Sequence, residues 1–139
     1  MDRLVQYFRA LSEEVRLRII MLLTQGELCV CDIMEILNEP QSKVSRHLSY
    51  LKSSGLISGK RVGVWMHYAL SEERDEVLDA QIDFMRQRLS HLPGFTDDMT
   101  RMETLRERKL REGPRPRPGR PKCAARPTGE RKAGTNGIA

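Results

Sequence analysis

The chain has 139 residues, room for one compact domain with a modest core and a tail. Its longest apolar run, IIMLL at 19–23, is far too short to span a bilayer, and its start, MDRLVQYFRA, lacks the apolar stretch of a secretory leader; a cytoplasmic protein with no membrane partner is expected. The net charge of +5 is unevenly spread, because residues 1–111 hold 17 basic and 17 acidic side chains whereas 112–139 hold 7 and 2.

Leu4, Tyr7, Phe8 and Leu11 recur at helical spacing and predict a first helix over 2–10. Ser12 is placed to cap a second, with Glu13 and Glu14 in its first turn and Val15, Leu17, Ile19, Ile20, Leu22 and Leu23 as its apolar residues; Gly26 ends it. A short third helix covers about 31–37, with Ile33, Ile36 and Leu37 inward and Asn38 closing it. Pro40 opens a fourth that reaches Ser53, buries Val44, Leu48 and Leu51, and stops at Gly55. The period then changes to two: residues 57–61, a turn at Val62 and Gly63, and VWMHYAL over 64–70 predict a two-stranded hairpin. Ser71 caps a long fifth helix through Val77, Leu78, Ile82, Met85 and Leu89 to about Leu92, where Pro93 and Gly94 break it.

Residues 97–111 are only weakly periodic. The chain therefore divides into a domain over 1–95, an extra helix over 96–111, and a tail over 112–139. That tail is dense in Pro, Gly, Arg and Lys and poor in large apolar residues, which predicts disorder.

This order, three helices, a turn, a fourth helix, a hairpin and a long helix, is that of a mainly α winged helix-turn-helix domain. There the helix after the turn enters the major groove and the hairpin meets the flanking phosphates. Over 40–71 the chain carries Lys43, Arg46, Lys52, Lys60 and Arg61 and no acidic residue. With Val44, Leu48 and Leu51 inward, the fourth helix presents Gln41, Ser42, Lys43, Ser45, Arg46 and Ser49, with His47 near the edge. Gln and Arg suit base edges, Ser and Lys suit phosphates, and Lys60 and Arg61 put positive charge on the wing. Double-stranded DNA is the expected partner.

Cys29 and Cys31 are too close in sequence for an easy bridge in regular structure, and the total of three cysteines is odd. Clustered thiols in a reducing compartment point to a soft metal or to oxidant sensing, while two small buried hydrophobes is the alternative. On an ideal helix, residues two apart point about 200° from each other. Both sulfurs can then reach one ion only if the helix locally unwinds. A helix N-terminus also lowers a thiol's pKa, which makes thiolates available near neutral pH.

ELCVCDIM at 27–34, PQSKVSRHLSYLKSSGLI at 40–57 and GKRVGVWMHYAL at 59–70 together resemble the ArsR/SmtB family of metal-responsive repressors over roughly residues 1–92. The resemblance implies a homodimer paired through its first and fifth helices that leaves its operator when metal binds. It also implies As(III) or Sb(III) as inducer at Cys29 and Cys31, with no constitutive cofactor. Arsenic-sensing members often read ELCVCDLC, with a third cysteine where this chain has Met34. The third place is thus open to Cys123 from the tail, to a small thiol or hydroxide, or weakly to Met34. Cys123, about thirty residues beyond the expected fifth helix, is not required.

Cd(II)- and Pb(II)-sensing relatives are the rivals, but they recruit cysteines from an N-terminal extension, and no cysteine precedes Cys29 here. Thiol-redox sensing is a further alternative. Asp79, Asp83 and His91 lack the paired spacings of zinc-sensing relatives and are expected on a solvated face, and His67 is expected to pack or to face DNA. No nucleotide loop, Ser-His-Asp arrangement or paired-carboxylate pattern occurs, so no enzyme is expected.

Overall fold

Local signals at the helix ends set the frame of the computed structural model, which describes residues 1–113. Helices α1 (Asp2–Leu11) and α2 (Glu14–Leu23) meet at Ser12, whose hydroxyl donates to the Arg9 carbonyl at 2.7 Å and so closes α1. The expected cap role passes to Glu13, whose carboxylate accepts from the Arg16 amide. Helix α2 lies at the centre of the molecule, and Ile19, Ile20 and Leu22 are wholly enclosed. Its second half is apolar all round because other helices cover every side of it.

After α2 comes β1 (Leu28–Cys29), then α3 (Val30–Leu37), ended by Asn38 in the left-handed conformation, and α4 (Gln41–Ser53), with Pro40 as its N-cap. Val44, Leu48 and Leu51 of α4 close onto Ile33 and Ile36 of α3 in one core. Gly55, at φ +81°, ends α4 by letting the Leu56 amide turn back to the Leu51 carbonyl at 3.1 Å.

The wing consists of β2 (Ile57–Val62) and β3 (Trp65–Leu70), paired antiparallel from Ile57 with Leu70 to Val62 with Trp65. The turn is therefore Gly63–Val64, one residue later than expected. Gly63 supplies the positive φ of +64° at the first turn position, where a type II′ hairpin favours glycine. The sheet has three strands in the order β1-β3-β2, because Leu28 pairs with Tyr68 and Cys29 with His67. A two-residue strand carries no period, which is why the sequence predicts only a hairpin.

The C-terminal part differs more. Helix α5 (Glu76–Arg88) begins at an Asp75 cap, whose carboxylate accepts from the Leu78 amide at 2.9 Å, and not at Ser71. Pro93 opens a further helix, α6 (Pro93–Glu112), as the first residue of its first turn, where its missing N–H has no consequence. Helix α6 starts before residue 96 and runs past 111. It packs on α2 and α3, burying Phe95, Asp98, Met102 and Leu105, so it belongs to the domain. The tail beyond Gly113, with Cys123, lies outside the described residues.

Candidate metal centre and nucleic-acid interface

Cys29 is the N-cap of α3, with extended backbone (φ −69°, ψ 147°), and Cys31 lies in the first turn. They do not share one helix, so the opposed placement expected of an ideal helix does not apply. Both line one cleft of about 480 Å³ together with Asp32, Trp65, His67, Lys109, Leu110 and Gly113. The Cys31 amide donates to Cys29 Sγ at 3.4 Å, so this sulfur acts as the helix cap. Burial pushes the Cys29 thiol up, and the nearby Asp32 carboxylate adds to the rise. The amides of Cys31 and Asp32 and the Lys109 ammonium pull the other way without cancelling it. The thiolate expected at this helix start is therefore disfavoured for Cys29.

Asp32 is buried, and its carboxylate meets Lys109 Nζ at 2.5 Å. Met34 is not among the residues lining the cleft. Among the described residues, no three of His, Cys, Asp and Glu are grouped so as to hold a metal ion. Asp79, one of the three acid and histidine residues noted around α5, pairs with Arg74 at 2.6 Å, while Asp83 and His91 are exposed.

The cleft adjoins elements that lead to both α4 and the wing. Helix α3 packs on α4, while β1 joins Cys29 to His67 of the wing strand. Glu27, two residues before Cys29, lies 3.2 Å from Lys60 and 3.8 Å from His67.

On α4, Ser42, Arg46 and Ser49 are exposed, and Gln41, Lys43 and Ser45 are partly so. His47 departs from the expectation: it is 5% exposed, under the helix and not at its outer edge. Lys43 pairs with Glu39 at 3.0 Å, just outside the acid-free window, and Lys60 with Glu27. Among the described residues no carboxylate pairs with Arg46 or Arg61, both exposed. With Lys52, which is likewise exposed and pairs with no carboxylate among the described residues, they are cations left open to an anionic partner.

Two features escape the sequence reading. Tyr50 is exposed one turn beyond Arg46, with the Arg16 guanidinium 4.2 Å over its ring. Arg16 also donates to the Ala10 and Arg9 carbonyls at 2.7 and 3.1 Å, so one side chain fixes the end of α1 against α4. The spacing of Arg46 and Tyr50 contains the first signal, but nothing local in the sequence marks the second.

Residues 13–58 match the family described as bacterial regulatory protein, arsR family. The chain is 48% identical over 68 residues to the arsenical resistance operon repressor of Escherichia coli K12, an alignment covering 48% of this chain and 58% of that protein. It is 35% identical over 106 residues to the arsenic resistance transcriptional regulator ArsR2 of Pseudomonas putida KT2440, covering 76% of this chain and 90% of that one. Its fold is similar to the homodimeric winged helix-turn-helix DNA-binding domain of Mb0332 from Mycobacterium bovis, with a TM-score of 0.55 and 27% identity over 66% of this chain and 86% of that one.

Proposed function

This chain belongs to the ArsR family of bacterial regulatory proteins, winged helix-turn-helix transcriptional regulators and not enzymes, and we propose that it represses an arsenic-resistance operon until As(III) or Sb(III) binds Cys29 and Cys31. The observation that carries the reading is the shared cleft: two soft sulfur donors line it, and its walls belong to elements that join the wing and the recognition helix. Thiophilic ions are the ones that such donors select. Cys29 and Cys31, the family residues present here, both line that cleft, which supports the reading.

In this reading α4 lies in the major groove, with Gln41 and Arg46 at base edges. Ser42, Lys43, Ser45, Ser49, Lys60 and Arg61 meet phosphates. His47, enclosed beneath α4, is left out of the interface. An ion held by Cys29 would compete with the Cys31 amide for its sulfur and so weaken the cap of α3. The disturbance reaches α4 through the α3–α4 packing and the wing through β1. The protein acts as a homodimer on double-stranded operator DNA in the cytoplasm.

The test is operator release followed by fluorescence anisotropy and titrated with As(III), Sb(III), Cd(II), Pb(II) and peroxide. As(III) and Sb(III) are expected to release the wild-type chain at the lowest concentrations. Cys29→Ser and Cys31→Ser should bind operator as tightly as wild type and ignore both ions. Release of Cys29→Ser by arsenite at the wild-type concentration would refute the site, and preferential release by Cd(II), Pb(II) or peroxide would replace the inducer.

A further inference from the structure

Arg16 stands in the first turn of α2, half-buried, between the end of α1 and the recognition helix. Every nitrogen of its guanidinium is engaged. Nε donates to the Ala10 carbonyl at 2.7 Å and Nη2 to the Arg9 carbonyl at 3.1 Å, both among the carbonyls that the last turn of α1 leaves without helical partners. Nη1 lies 3.3 Å from His47 Nδ1. The flat face that remains covers the Tyr50 ring, 4.2 Å from its centroid. A planar fork can serve all these partners at once, which the point charge of a lysine cannot.

His47 and Tyr50 are neighbours at i, i+3 on α4, and Tyr50 follows Arg46 at i+4, so Arg16 grips the helix along the edge that borders Arg46. The stripe of Val44, Leu48 and Leu51 seats α4 in the core, but apolar burial is non-directional. Reading base edges requires side chains held within about 0.5 Å and 10–20° of the productive geometry. Arg16 supplies directional contacts to that end.

Resting on the reading of α4 as the helix that enters the major groove, we propose that Arg16 is its positioning residue, clamping the His47–Tyr50 edge of α4 to the last turn of α1. It sets the rotation of α4 about its axis and touches no DNA. The same short α1 is held to α5 by Tyr7, which donates to Asp75 at 3.2 Å, so a shift of α1 against α5 is transmitted to the edge of α4 beside Arg46. The Tyr50 hydroxyl has no partner among the described residues, and the clamp uses the ring alone.

The test measures affinity by fluorescence anisotropy for two probes across a salt series: the duplex that the full-length chain selects from a randomised pool, and a random duplex of equal length. Arg16→Lys keeps the charge but not the fork, and it is expected to bind the selected duplex about tenfold more weakly, with random-duplex affinity and salt slope unchanged. Tyr50→Leu, which removes only the ring, should lose about threefold. Tyr50 is exposed, so this second variant keeps its fold even where Arg16→Lys does not. Tyr50→Phe, which retains the ring, should restore wild-type affinity, and adding Tyr50→Leu to Arg16→Lys should cost nothing further. A flatter salt slope in Arg16→Lys, with equal loss on both duplexes, would make Arg16 a phosphate contact and overturn the proposal. Additive losses in the double variant, or a Tyr50→Phe chain as weak as Tyr50→Leu, would overturn it too. A wild-type chain that selects no duplex, or an Arg46→Ala chain that discriminates the two probes as wild type does, would instead remove the reading of α4 on which the proposal rests.

Discussion

His47 stands three residues after Val44 and one before Leu48, so the helical geometry that buries Val44, Leu48 and Leu51 buries it too. Arg16 Nη1 lies 3.3 Å from His47 Nδ1 and can only donate, which makes Nδ1 the acceptor and puts the ring proton on Nε2. Among the described residues Nε2 has no partner. Burial lowers the His47 pKa; Glu13, 3.5 Å away, opposes this, and Arg16, Arg46 and Lys43 add to it. The ring is therefore neutral at pH 7, and its contact with Glu13 is not an ion pair there. Because the folded pKa is below that of the unfolded chain, about 6.5, the contribution to stability is present above that pH and is lost as pH falls through the folded value. Urea midpoints measured from about pH 7.5 to 5 should fall more steeply for the wild-type chain than for His47→Gln. Coincident slopes would mean that His47 is not the group responsible. The sequence holds this position in plain view, since residue 47 completes the i, i+3, i+4, i+7 stripe, but a polar residue type points the reading outward.

Helices α2, α3 and α4 are legible in the sequence because their signals are local: a cap, a glycine or a proline within three residues of each end, and a dense apolar stripe. Helix α6 is legible only in part, as the weakly periodic extra helix expected over 96–111, for the opposite reason. Its buried positions 95, 98, 102 and 105 do recur at helical spacing, but one of them is an aspartate, so the stripe reads as broken. Asp98 is 1% exposed and meets Arg18 of α2, 80 positions away, through two hydrogen bonds of 2.8 and 2.7 Å. No local pattern encodes such a partnership. Likewise, the cysteine pair is conspicuous in the sequence, whereas the α6 wall of its cleft depends on Lys109 finding Asp32 across 77 positions. Removing one partner of a buried charge pair leaves the other desolvated and alone. Asp98→Ala should lower unfolding stability by about 3 kcal/mol and raise hydrogen exchange across 93–112 before that of α2. A loss under about 1 kcal/mol would show the pair to be as weakly coupled as a surface ion pair.

At the scale of the whole molecule, the described chain leaves part of its apolar surface uncovered. Phe8 and Val5 of α1 are exposed, Phe8 by 51%, and Val77 and Phe84 of α5 form a second apolar stripe, Phe84 being 54% exposed. Val77, expected inward, lies on this outer stripe because the core is closed by Leu78, Ile82 and Met85, about 100° further round the helix. Tyr7 of α1 donates to Asp75 at the start of α5 at 3.2 Å, which holds the two helices in one surface. Exposed large aromatics mark an interaction face, and the homodimer proposed for this chain would seat the second copy on it. Two copies joined there would present two recognition helices, with the second half-site bound at the effective concentration set by the first. Phe84→Glu places a charge in that face without touching α4 or the wing. It should sediment as a monomer at concentrations where the wild-type chain is a dimer, and its operator affinity should fall by roughly 100-fold or more while its circular dichroism is unchanged. A Phe84→Glu chain that stays dimeric would move the pairing surface away from α5, and one that becomes monomeric yet binds operator normally would detach DNA recognition from pairing altogether.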